Sequence, residues 1–423
     1  MTVSDDNDAA GGGVSLRRTV PVAVLVGAAG AAVALAFVAL VAAGQSVLWP
    51  DPLDPSAFSG SIRIPIVLTA GGLIVGVIHT LSPSAQEENV FVALATGRID
   101  ATAVPGGVAI AAVTLIAGFS LGPEVPTGMA AAGVAAFAVS RRLVRQRDAD
   151  VAMSAAISGA WGGLFTAPFT ALLLNIELTV GRRVLRWTRL AADASAAIVG
   201  FTIFFIVDAG WSDVLRLLDL PAFELRIVDL AVAAGLGVAG AVVGTAFKLS
   251  MLGTRRLSGS VGGHPIVRCT IVGLVLGLVG MALPLTLFLG TEGLEQVTAE
   301  PATLGAGLIV ASALVKVVAT TGALSFGFVG GPIFPLLFIG GSLGSVVHLA
   351  IEDVPLALAV TASMAAVPSA VIPVPLSIAT LTVLIAGLPP TESSTVFVAA
   401  VVALLASQAI ETALPGPAPT AKG

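Results

Sequence analysis

Uncharged apolar runs long enough to cross a lipid bilayer recur along this chain, at residues 20–44, 101–121, 151–176, 269–291, 317–347, 354–391 and 393–410. A helical span needs about 20 such residues, because each adds about 1.5 Å across a hydrocarbon core about 30 Å thick. Shorter runs lie between them, at 64–78, 194–207 and 230–247. The run at 354–391 is too long for one helix and carries internal prolines, so it divides into two. The pattern predicts roughly 10 to 14 membrane segments, several too short to cross as straight helices.

Composition agrees. Hydrophobic residues make up 56% of the chain and charged residues 11%, with a mean hydropathy of +1.02. Soluble domains carry about 25% charged residues, so the expected class is an all-α integral membrane protein. The net charge of −5 says little; the position of the positive residues says more. They cluster at Arg17-Arg18, at Arg141, Arg142, Arg145 and Arg147, at Arg182, Arg183, Arg186 and Arg189, and at Lys248, Arg255 and Arg256. Basic loops stay on the cytoplasmic side, which predicts a cell-membrane protein with its N-terminus inside. Short loops between helices explain these clusters without a nucleic-acid partner.

The first apolar run is too long for a signal-peptide core and reads as a retained helix. Residues 1–18, acidic and glycine-rich at Asp5, Asp6, Asp8 and Gly11 to Gly13, read as a disordered cytoplasmic tail, and 414–423 as a second tail. A single cysteine, Cys269, excludes a disulfide within the chain and argues against a metal cluster. His79, His264 and His348 are far apart, with no ligand spacing. No phosphate-binding loop, zinc-protease motif or dinucleotide fingerprint occurs, so neither metal nor cofactor is expected. No nucleophile–base pair stands among the few polar residues, which argues against an enzyme.

One carboxylate breaks the pattern. Gly122-Pro123-Glu124-Val125-Pro126-Thr127 sets Glu124 between two prolines and two uncharged runs. A carboxylate at that depth costs about 2.5–3.5 kcal/mol on insertion scales, so such residues face a pathway rather than lipid. Proline suits a first helical turn, and a helix starting there aims free N–H groups and its positive dipole end at whatever lies in front. An acid beside an anion-attracting helix start reads as a gated anion site. The other reading of Glu124 is a carboxylate that caps its own helix.

The motif has an echo. Gly331-Pro332-Ile333-Phe334-Pro335 repeats the G-P-x-x-P pattern. A proline-headed apolar segment follows each, at Pro168 and at Pro375. This divides the chain into a first transmembrane repeat at 19–210, a connecting segment at 211–226 and a second repeat at 227–413. Inverted repeats with broken helices bind their substrate where half-helix N-termini converge near the bilayer midplane. Here the converging starts are 122–127 and 330–335.

These residues resemble the chloride channel (CLC) family. Gly122, Pro123, Glu124, Val125 and Pro126 align with its G-[KR]-E-G-P signature, and Gly331 to Pro335 with its G-x-F-x-P, Ile333 standing at the phenylalanine position. Phe165-Thr166-Ala167-Pro168 with Glu177 is similar to the family's N-A-P helix and its acidic pair, and Lys316 to Thr320 to the basic-residue-containing helix before the second signature. The resemblance spans residues 64–410. It implies a homodimer with one pore per subunit that conducts or exchanges chloride or a similar small anion, with Glu124 as the gate. Gly122, Pro123, Val125, Gly331, Ile333 and Phe334 would line the anion position, and Ser82 would stand in for the family's first signature serine.

Departures from the pattern are specific. The G-S-G-I-P signature has no clear match, His79 to Ser84 occupying its place, and the chain contains no tyrosine. The second acidic position, the internal proton glutamate of exchangers, is Leu178. That favours passive conduction over proton-coupled exchange, with a non-transporting membrane scaffold as the reading from another class. Glu177 fits either an interfacial pair with Arg182 or Arg183 or a proton path. Lys316 fits either anion attraction or a side chain reaching for the interface. Asp193 and Asp208 read as membrane-edge residues, and Ile333 and Phe334 fit pore lining or core packing.

Overall fold

The computed structural model describes residues 16–49, 60–83, 90–96, 98–179, 187–207 and 218–413. The expected N-terminal tail, apart from its last residues, and the C-terminal tail lie outside the described residues, as do Arg182, Arg183, Arg186, Asp208 and the first part of the connecting segment. The described residues are helices and turns with one isolated antiparallel bridge.

The helices are α1 (Leu16–Leu48), α2 (Arg63–Leu81), α3 (Val90–Thr96), α4 (Val104–Ile116), α5 (Glu124–Ser140), α6 (Ala149–Leu164), α7 (Pro168–Thr179) and α8 (Trp187–Val207). They continue as α9 (Ile227–Ser260), α10 (Pro265–Ala282), α11 (Thr291–Ala299), the single turn α12 (Pro301–Leu304), α13 (Ala306–Ser325), α14 (Ile333–Ala350), α15 (Leu356–Val371), α16 (Pro375–Ala386) and α17 (Ser393–Ala413). Eight are long and apolar enough to span, and four shorter apolar helices accompany them. That agrees with the expected segment count.

The lengths repeat. The first eight helices run 33, 19, 7, 13, 17, 16, 12 and 21 residues. From α9, with α12 set aside, they run 34, 18, 9, 20, 18, 16, 12 and 21. Two copies of one plan follow each other in the chain. The four landmark prolines occupy matching places: Pro126 and Pro335 are third in α5 and α14, and Pro168 and Pro375 first in α7 and α16. A first-turn proline loses no helical bond, because the N–H it lacks has no partner there anyway.

Both breaks before the signatures are built alike. Gly118 (φ +87°) ends the α4 stretch and Gly327 (φ +96°) the α13 stretch, each four residues ahead of a Gly-Pro pair. Only glycine adopts that left-handed geometry without a Cβ penalty. At 13 residues, about 20 Å, α4 stops short of a full crossing, so the chain breaks inside the bilayer where protein must satisfy its backbone.

Close packing of small residues holds the bundle. α1 and α8 pack on α6, where a Cβ on Gly200 would fall 1.8 Å from the Gly159 carbonyl oxygen and one on Gly159 2.2 Å from that of Gly27. Lipid gives helices no hydrophobic reason to associate, so close backbone approach supplies the attraction. α2 lies on α10, and α7 on α16, so each of these contacts joins the two halves. α9 packs on α15 and α17.

Candidate functional site

The two signature segments meet. Gly122 N–H donates to the Gly331 carbonyl at 2.7 Å and Gly331 N–H to the Gly122 carbonyl at 2.7 Å, an antiparallel bridge between residues far apart in the chain. Glu124 opens α5 beside this bridge with 0% exposure. Its Oε1 accepts the N–H of Ile333, the first residue of α14, at 2.7 Å. Its Oε2 is buried with no hydrogen-bond partner among the described residues. The carboxylate of one half thus caps the helix start of the other, where free N–H groups and the positive dipole end favour an anion.

Both bridge glycines are needed for this fit. A Cβ on Gly122 would fall 2.1 Å from Glu124 Oε2, and one on Gly331 2.0 Å from Glu124 Cδ. A Cβ on Gly122 would also stand 3.0 Å from the Phe334 ring, so that ring borders the carboxylate's place. Phe334 is 1% exposed and stacks near Phe165, with ring centroids 6.4 Å apart. The structure gathers Gly122, Pro123, Glu124, Gly331, Ile333 and Phe334 around one buried point, with Val125 next to them on α5 and partly buried. Ser82 is half-buried at the C-terminal cap of α2, its N–H donating to Ile78 O at 2.8 Å.

Three supports had no sequence signal that spacing could reveal. Trp161 on α6 donates its indole N–H to the Glu124 carbonyl at 2.8 Å. Thr320 on α13 donates to the Ser120 carbonyl at 3.1 Å, and the two hydroxyls lie 3.0 Å apart, which ties α13 to the turn before α5. His79 on α2 places Nε2 2.9 Å from the Gly327 carbonyl and holds the second break. Nothing in the spacing of Trp161 or Thr320 along their apolar runs marks them out, and only tertiary packing does.

Glu177 sits elsewhere. Its Oε1 accepts the Leu376 N–H at 2.9 Å and its Oε2 the Ser377 N–H at 2.8 Å, with the Ser377 hydroxyl donating to Oε2 as well. Glu177 caps the start of α16; Arg182 and Arg183, the partners expected for it, lie outside the described residues. Leu178 beside it packs against the main core. Asp193, the seventh residue of α8, is packed inside the protein: it is 3% exposed, accepts from Ser154 Oγ at 2.7 Å, and lies 3.7 Å from Arg189 Nε. No group of residues suited to a metal occurs among the described residues.

The family model described as voltage gated chloride channel matches residues 87–411. The chain belongs to the voltage gated chloride channel (CLC) family. Relatives of this CLC chain include two proteins each named "Putative ion-transport protein YfeO", from Salmonella paratyphi A and Salmonella newport. Each is 31% identical over 355 residues, covering 81% of this chain and 83% of the relative. Among solved structures, a slow cyanobacterial Cl−/H+ antiporter superposes with a TM-score of 0.80 at 15% identity, over 93% of this chain and 95% of that one. A CLC-type fluoride/proton antiporter gives a TM-score of 0.76 at 21% identity, over 93% and 96%. The fold is therefore the CLC fold, two inverted-topology repeats with broken helices in a multi-pass membrane protein.

Proposed function

We propose that this CLC protein moves chloride through a pathway gated by Glu124. The observation that carries this reading is the Glu124 carboxylate itself. A buried carboxyl group occupies the amide of a helix start, at the junction of two broken helices, with one oxygen unpaired among the described residues. A dehydrated chloride needs the same partners: N–H donors, a positive helix end and no competing water. Removing the carboxylate from the Ile333 amide frees that place for an anion. Gly122, Pro123, Val125, Gly331, Ile333 and Phe334 line it, and Ser82 contributes from the end of α2.

Passive conduction fits the chain better than exchange, because Leu178 offers no carboxyl at the second acidic position and Glu177 is engaged at α16. The two solved structures that superpose on this chain are antiporters, one for chloride and one for fluoride, so proton movement and ion choice belong in the first experiment. Liposomes holding the purified protein are loaded with chloride and given a potassium shunt, and wild type is compared with Glu124→Gln while external pH is recorded. The expected result is chloride efflux that changes severalfold with the substitution and carries no protons. Stoichiometric proton counterflux makes the protein an exchanger. Flux of fluoride without chloride changes the ion, and no anion flux from either protein returns the scaffold reading.

A further inference from the structure

Lys316 has a surrounding that gating does not explain. It lies within the α13 span, is 0% exposed, and does not reach toward either interface. Its ammonium donates to three successive backbone carbonyls, Thr286 at 3.2 Å, Leu287 at 3.1 Å and Phe288 at 3.3 Å. It also stands 4.9 Å from the centre of the Phe338 ring on α14, and Glu292 on α11 attracts it across a longer gap. A Cβ on Gly290 would fall 2.7 Å from its Cε, so the cage is closed around it. Carbonyl oxygens and an aromatic face are neutral groups that stabilise a cation and leave its charge uncancelled.

The cage lies close to the site. Phe338 follows Phe334 by one turn of α14, and Ile333, whose amide holds Glu124, is five residues before Phe338. Five residues are about 7.5 Å of helix, which puts the ammonium on the order of 10 Å from the Ile333 amide. The cage reaches the site a second way. Phe288, one of its carbonyls, donates its own N–H to Gly118 O at 2.9 Å, and Gly118 is the glycine that breaks the chain before Glu124.

We propose that the protonated Lys316 ammonium is a buried positive charge that sets the anion affinity of the pathway at Glu124, opposed by Glu292. The proposal rests on the anion-transport reading above and assigns a second residue to it. At about 10 Å and an effective dielectric constant of about 20, one charge changes anion affinity about tenfold, equivalent to about 1.4 kcal/mol. Field control and mere packing differ in sign: Lys316→Met removes a positive charge, and Glu292→Gln removes a negative one.

The experiment is chloride binding to the full-length protein in detergent by titration calorimetry, with efflux from liposomes beside it. Wild type, Lys316→Met and Glu292→Gln are compared, each checked for a single symmetric size-exclusion peak. The expected result is affinity about tenfold weaker for Lys316→Met and tighter than wild type for Glu292→Gln. If Lys316→Met does not fold, Glu292→Gln alone carries the test, and weakened binding in it overturns the proposal. Wild-type affinity in a folded Lys316→Met, or loss in both variants together, also overturns it while leaving transport standing. A wild-type protein that neither binds nor moves an anion overturns this proposal and the transport reading alike.

Discussion

At the residue scale, the site depends on what is missing as much as on what is present. Glu124 reaches the Ile333 amide only because Gly122 and Gly331 have no side chains in its way. Neither has positive φ, so alanine is compatible with the backbone, and the clash is with the carboxylate. Gly331→Ala should therefore expel the Glu124 side chain and reproduce the flux of Glu124→Gln in the liposome assay. Flux like wild type from Gly331→Ala, with Glu124→Gln altered, would show that the carboxylate does not gate from this position. Trp161 is the matching support from behind: its indole N–H satisfies the Glu124 carbonyl, which fixes where α5 begins.

At the scale of elements, the fold uses one device twice. A carboxylate from the first half caps a helix start in the second, Glu124 at α14 and Glu177 at α16. The two differ in burial, since Glu124 is fully enclosed and Glu177 is not. Glu177→Gln would turn two good acceptors into one and point an amide N–H group at backbone donors. Losing a charged acceptor at a partly exposed helix start costs about 1 kcal/mol, so the variant should unfold at a slightly lower temperature in detergent. Chloride efflux should stay close to wild type in the same preparation. Unchanged stability with altered proton movement would instead place Glu177 on a proton path.

At the scale of the whole molecule, α7 and α16 present large apolar side chains on the surface of one subunit. Both are 12 residues long, about 18 Å, and both begin inside an apolar stretch. Phe169 near the start of α7 is 72% exposed and Leu384 near the end of α16 52%, so both apolar side chains lie on the surface of one subunit. A second copy seated on this face would cover both, in line with the expected homodimer. The measurement is subunit counting by photobleaching in liposomes at low protein density, for wild type and for a Phe169→Ala, Leu384→Trp variant. Two steps for wild type and one for the variant are expected; single steps for both would leave the subunit working alone.

Much of this was legible in the chain before any coordinates. Long uncharged runs can only be membrane helices, because lipid offers the backbone no partner, and that settled the class. Proline placed at a first turn, with glycine ahead of it, marked the broken helices, because these residues act through backbone geometry that is local. The doubled Gly-Pro motif located the two starts for the same reason. Spacing along the chain carries no information on which side chain meets which across 200 residues. The Glu124–Ile333 contact, the Glu177 cap on α16, Trp161 behind Glu124 and the closed cage of Lys316 therefore belong to tertiary structure alone. Lys316 makes the point most plainly. In sequence it is one lysine in an apolar run, free to reach for the interface, and only three carbonyls converging from a distant loop hold it inside.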